Sequence, residues 1–158
     1  MKEVTERFIT EPQGHWLMLC GQSGCGKTHL TTAAFVQLSY RLGLEGQFLQ
    51  WNQDSRALKA AALEDDSRLW DRYKTAELLL IDDLFKGAGQ GPSDADIRLA
   101  FEILDHRYNN TLTTIISTEL PFDKLLTIDQ AIAGRIKEMC GDFLVSIAPD
   151  AAKNFRLK

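Results

Sequence analysis

The sequence predicts an α/β fold built on a parallel sheet with helices on both faces. Three observations carry this. Five short apolar runs alternate along the chain with stretches of helical periodicity, the order that crossover helices impose on a parallel sheet. The run ELLLID at residues 77–82 is apolar almost throughout, as a central strand buried on both faces must be. The run that ends in WLMLC is followed at once by GQSGCGKTH, a stretch with no packing value that sits where parallel sheets bind ligands, at the carboxyl end of a strand.

The strands expected from these runs are His15–Cys20, Gln47–Trp51, Glu77–Asp82, Thr113–Ser117 and Phe143–Ile147. Between the first two, Leu30, Ala34, Leu38 and Leu42 repeat every four residues and Gly43 stops the helix. After the second strand, Asn52 or Asp54 is expected to cap a helix through Ala57, Leu58 and Ala61. A further helix is expected over Ser67–Ala76. Ser93 and Asp96 have capping-box spacing, and Ile97, Phe101, Leu104 and Tyr108 mark the stripe that follows. Ile128, Ile132 and Ile136 predict one last helix, ending near Gly141. Residues 1–13 read as a lead-in segment.

The 158 residues suit a single domain with one sizeable core. No apolar run approaches the roughly 20 residues that span a bilayer, and MKEVTERFIT lacks a signal-peptide core. A cytoplasmic protein without membrane contact is therefore expected. The three cysteines are odd in number and lack metal-ligand spacing. Cys20 and Cys140 read as small buried residues and Cys25 as a loop residue. A net charge of −4 argues against broad coating by nucleic acid.

Gly21, Gln22, Ser23, Gly24, Cys25, Gly26, Lys27 and Thr28 fit G-x-x-x-x-G-K-[ST]. Glycines let the backbone turn successive N–H groups toward an anion, and the following helix offers the positive end of its dipole. Lys27 brings a full charge to β- and γ-phosphates, and the Thr28 hydroxyl is a magnesium ligand. These residues predict binding of a polyphosphate, such as that of a nucleotide, with Mg²⁺. His29 adjoins the candidate nucleotide-binding stretch and reads as a helix-surface residue rather than a catalyst.

Asp82 and Asp83 end the central strand. Two adjacent carboxylates repel unless a cation is near. Asp82 is the expected metal-side carboxylate, directly or through water, and Asp83 is placed to orient or deprotonate an attacking water. The plain alternative is a solvated strand end, with Asp83 capping a turn before Phe85-Lys86-Gly87.

With these segments in view, the chain resembles the AAA+ ATPases: Gly21–Thr28 and Leu78–Asp83 are similar to their Walker A and Walker B motifs. LLLIDDLFKG, TTIISTELPFDKL, IDQAIAGRIKEMC and the tail NFRLK resemble bacterial and phage helicase loaders of the DnaC/DnaI type, with the IstB-type transposition helpers as a sister group. The resemblance runs from about Gly14 to the C-terminus. It implies a P-loop NTPase three-layer sandwich with strand order 5-1-4-3-2, an AAA+ core without a full C-terminal lid and without the loaders' N-terminal helicase-binding domain. By the same resemblance Thr113–Ser117 is the strand inserted between the two motif strands, and its end is the sensor 1 position. Glu119 stands there in place of an amide, and an ionised Glu donates no hydrogen bond. Thr118 is the alternative sensor, and a turn-initiating acid is the plain reading of Glu119. Arg135 matches the loaders' arginine finger, against the plain reading of a surface pair with Glu138. Arg156 is a candidate second sensor.

The function implied is the ATP-binding and hydrolysing core of a replicative helicase loader, active as a homo-oligomer, with helicase and single-stranded DNA as partners. Arg56, Lys59, Arg68 and Arg72 are the basic residues in reach of such a strand, or a solvated helical face. An IstB-type helper, a small-molecule P-loop kinase and a nucleotide-binding module without hydrolysis are the alternatives.

Overall fold

A computed structural model describes residues 1–12, 14–63, 68–87 and 91–148. The five strands are β1 (Trp16–Cys20), β2 (Gly46–Gln50), β3 (Leu78–Asp82), β4 (Thr113–Thr118) and β5 (Leu144–Ser146). They form one sheet in the order β2-β3-β4-β1-β5, with every pairing parallel. This is the expected order 5-1-4-3-2. Because β4 lies between β1 and β3, the carboxyl ends of all three meet at one edge. Cys20 pairs with Thr118, and Ile81 pairs with Ile116, so Asp82 ends up beside Ser117.

The strands alternate their side chains between two cores, as the twofold period of a strand requires. Trp16, Met18, Cys20, Leu79, Ile81 and Ile116 face one side. There they meet α3 (Trp51–Leu63), α4 (Arg68–Thr75), α5 (Asp94–Asn109) and α7 (Gln130–Cys140). Leu17, Leu19, Leu78, Leu80 and Ile115 face the other side, against α1 (Lys2–Thr10) and α2 (Lys27–Leu42). The result is three layers, with the sheet buried in the middle.

Several elements differ from expectation. The lead-in segment holds α1, whose Thr5, Phe8 and Ile9 are buried at helical spacing. Phe8 meets Phe143 edge to face, with ring centroids 5.3 Å apart. Phe143 accordingly sits in a 3-10 turn (Gly141–Phe143) before β5 rather than in the strand. Trp51 is the first residue of α3, not the end of a strand. Neither Asn52 nor Asp54 precedes that helix; Asp54 lies inside it and its carboxylate accepts the Gln50 N–H at 2.7 Å. The last isoleucine stripe is split. Ile128 closes α6 (Phe122–Ile128), and Asp129 caps α7 by accepting the Ile132 N–H at 2.8 Å. The Ser93–Asp96 capping box forms as expected. Cys25, although in a loop, is buried like Cys20 and Cys140. Arg156 lies outside the described residues. Among the described residues no helix is long and apolar enough to cross a membrane.

At the edge of the sheet away from the glycine-rich loop, Arg107 of α5 is fully buried. Its Nε donates to Thr114 Oγ1 at 2.9 Å. Its Nη1 donates to the carbonyls of Tyr73 (3.0 Å) and Ala76 (2.7 Å), and Nη2 to that of Thr113 (2.7 Å). The guanidinium thus staples the end of α4 and the entries to β3 and β4. A buried acceptor left without its donor costs about 1–3 kcal/mol. Arg107→Met should lower the unfolding free energy by about 3 kcal/mol or more in urea titration; a loss below about 1 kcal/mol would show the staple to be dispensable.

Candidate functional site

The site begins where β1 ends. Gly21 comes so close to Ile147 that a Cβ on it would lie 3.1 Å from the Ile147 Cβ and 3.2 Å from its carbonyl oxygen. Gly26 has φ +90°, a conformation that side chains other than glycine's resist, and it directly precedes α2. Lys27 then folds back over the loop. Its Nζ donates to the carbonyls of Gly21 (2.7 Å) and Gln22 (2.9 Å), and the residue is only 5% exposed.

The second wall is the turn after β3, which is clamped to the end of β4. The Asp82 Oδ1 accepts from the Thr28 hydroxyl at 3.0 Å and from the Ser117 hydroxyl at 2.5 Å. The same Ser117 oxygen accepts the Asp83 N–H at 2.9 Å. The Leu84 N–H donates to the Ser117 carbonyl at 2.8 Å. Asp83 and Phe85 both hold positive φ, +57° and +62°, a conformation that costs a non-glycine residue of order 1 kcal/mol or more and persists only where the surroundings impose it. The clamp, and the packing of Phe85 edge to face on Trp51 at 5.4 Å, impose it here.

This turn brings Lys86 back over Asp83. The Lys86 Nζ lies 2.9 Å from Asp83 Oδ2 and 2.9 Å from Glu119 Oε1. The Asp83 hydrogen bond, opposed by burial and joined by Glu119, raises the Lys86 pKa above its ordinary value. Burial alone would raise the Glu119 carboxyl. The Lys86 ammonium, aided by Lys27 and a hydrogen bond with Ser23, outweighs burial and holds it below the ordinary value.

A cleft of about 250 Å³ opens between the two walls, lined by Ser23, Gly24, Gly26, Lys27, Thr28, His29, Asp83, Lys86 and Glu119. Most of the expected residues therefore meet in one place, and His29 is both exposed and on the wall. Asp82 lies behind Thr28, 4% exposed. Gly21 and Cys25 are buried, and the Gly21 N–H already donates to the Thr118 carbonyl at 3.2 Å; they shape the loop rather than line the cleft. The donor set suits a hard cation such as Mg²⁺: a hydroxyl and a carboxylate oxygen 3.0 Å apart, with the other ligands left to water and phosphate. Among the described residues no group of three or more His, Cys, Asp or Glu could hold a metal by itself.

One expected role and one alternative are corrected. Thr118 is fully buried. Its hydroxyl donates to the Leu84 carbonyl at 2.8 Å and accepts the Leu120 N–H at 3.2 Å, so it does not reach the cleft. Arg135 is not paired with Glu138. It forms an ion pair with Asp105 at 2.6 Å and lies over the rings of Phe101 and Tyr108, 4.9 and 5.5 Å from their centroids. The structure holds it against α5, not on the cleft wall. Of the scattered basic residues, Lys59 pairs with Asp96 at 2.6 Å and Arg72 donates to Gln47.

Sequence reasoning passed over Ser117 and Lys86. The signal available for Lys86 was the inferred strand order. With β3 and β4 adjacent, Asp83 and Glu119 must end side by side, and two neighbouring acids need a cation.

The model of the IstB-like ATP-binding proteins matches residues 5–136. The chain belongs to the IstB-like ATP-binding family. Two curated relatives come from Bacillus subtilis (strain 168). The family member described here is 37% identical over 153 residues to the phage-like element PBSX protein XkdC, covering 90% of this chain and 54% of that one. It is 35% identical over 144 residues to the uncharacterized protein YqaM, covering 89% and 46%. The chain thus spans about half the length of the curated relatives it matches. A crystal structure of the DnaC helicase loader superimposes with a TM-score of 0.78 at 25% identity, over 87% of this chain and 84% of that one. The fold is that of an AAA+ P-loop core of the DnaC/IstB-like kind.

Thr118→Val keeps the shape and removes both hydroxyl bonds. It should lower stability by about 1–3 kcal/mol while leaving nucleotide affinity unchanged in titration calorimetry. Altered affinity at full stability would return a sensing role to Thr118.

Proposed function

We propose that this domain binds and hydrolyses ATP as the core of a DNA replication helicase loader, its nucleotide state governing contacts with the helicase and with single-stranded DNA. The observation that carries the reading is the convergence of Lys27, Thr28, Asp82 and Asp83 at one edge of the sheet, in a chain whose fold matches the DnaC helicase loader. The loop amides and Lys27 bind the phosphates. Thr28 and Asp82 would hold the magnesium, which would supply positive charge to offset that of the phosphates. Asp83 orients the water and takes its proton. The water oxygen bonds to the γ-phosphorus, and the bridging oxygen leaves with ADP. Arg135, to serve a neighbouring subunit, exchanges Asp105 for that subunit's phosphate, so hydrolysis depends on assembly.

An IstB-type transposition helper is the second reading, favoured by the family that the chain matches. It shares every residue of the site and differs in partner. The deciding experiment is a pull-down from host lysate with and without ATP. Recovery of a hexameric helicase supports the loader; recovery of a transposase supports the helper.

Lys27→Ala should abolish ATP binding in titration calorimetry, and equal affinity would refute the phosphate-loop assignment. Asp83→Asn should bind ATP yet turn it over at least about tenfold more slowly, the scale expected for a lost general base. An undiminished rate would remove Asp83 from the reaction.

A further inference from the structure

The ATP-binding reading gives the cleft a problem of charge. Asp82, Asp83 and Glu119 gather where a triphosphate would place its terminal phosphate, and like charges this close repel strongly in a partly buried site. Lys27 lies on the phosphate-loop side. The only other ammonium lining the cleft among the described residues is that of Lys86.

Lys86 is placed as a movable charge on a fixed base. Its backbone N–H donates to the Asp83 carbonyl at 2.9 Å, and the two preceding side chains, Leu84 and Phe85, are buried. Its own side chain is 36% exposed. From there the ammonium reaches Asp83 on one side and Glu119 on the other, each at 2.9 Å. Glu119 in turn is hydrogen-bonded with Ser23 of the phosphate loop. The line Ser23–Glu119–Lys86–Asp83 therefore crosses the cleft from the loop to the end of β3. An ammonium has three rotatable donors and no fixed fork, so it can exchange one anionic partner for another, and it holds phosphate as a point charge.

Resting on the ATP-binding reading above, we propose that Lys86 reads the γ-phosphate. The terminal phosphate of a bound nucleoside triphosphate draws the Lys86 ammonium from Asp83, which frees that carboxylate for water. A diphosphate lacks the competing anion and leaves the Lys86–Asp83 pair closed. Lys86 thus supplies the donor that Glu119 cannot, and it makes the site selective for triphosphate. Lys86 is a phosphate-binding residue in this scheme and a positioning residue toward Asp83.

The test is titration calorimetry on the full chain with magnesium at constant ionic strength, using ADP and a non-hydrolysable ATP analogue as probes. Lys86→Met should weaken the analogue about tenfold or more, the scale of one lost charge-assisted bond, and change ADP affinity by less than about twofold. Lys86→Arg should restore most of the preference. If the Met variant does not fold, Lys86→Gln in the same assay carries the test. Equal weakening of both nucleotides, or no weakening of either, overturns the proposal while wild-type binding keeps the nucleotide reading intact. A wild-type chain that binds neither nucleotide overturns both.

Discussion

A single hydroxyl, that of Ser117, fixes the acidic wall of the site. It donates to the Asp82 carboxylate and accepts the Asp83 N–H. Through these two bonds the end of β4 dictates where the β3 carboxylates point. Leu84 extends the same clamp: its N–H donates to the Ser117 carbonyl and its carbonyl accepts from the Thr118 hydroxyl. The left-handed Asp83 and Phe85 follow from it. The chain accepts the strain because the N–H and C=O groups of Asp83 and Leu84 all have partners, and leaving such groups unpaired in a buried place would cost more.

The sheet order makes the clamp possible. With β4 between β1 and β3, the glycine-rich loop after β1 and the acidic turn after β3 stand one strand apart. That gap is wide enough for a cleft and narrow enough for Thr28 to touch Asp82. At the other edge Arg107 binds the entries of β3 and β4 together. The two strands that carry the site are therefore pinned at both ends, which suits a site whose ligand contacts must stay in register while side chains such as Lys86 exchange partners.

Charge in the cleft is nearly balanced before any ligand is considered. Lys27 bonds to loop carbonyls, and Lys86 is shared by two acids. Arg135 is likewise engaged, with Asp105 and two rings. Each of these three cations is held by an internal partner. The half-exposed pairs of Lys86 and Arg135 hold those charges in place while contributing little net stability.

The order of elements, the strand–loop–helix setting of Gly21–Thr28 and the acidic end of β3 were legible in the residues alone, because hydrophobic period and glycine placement are local properties. The α1 helix was missed although Thr5, Phe8 and Ile9 have helical spacing, since the Phe143 and Leu38 cluster that buries it comes from residues far along the chain. The break at Asp129 was hidden by an isoleucine period that continues across it. Thr118 as a sensor and Glu138 as the partner of Arg135 failed for a different reason: position along a strand or helix does not tell which neighbour a hydroxyl or guanidinium will choose. Ser117, Lys86 and Arg107 belong to the same class. Local sequence determined which chemistry this chain carries and on which elements. Only the packed sheet decided which groups face one another, because those pairings join residues some thirty or more positions apart, and no local pattern encodes such distances.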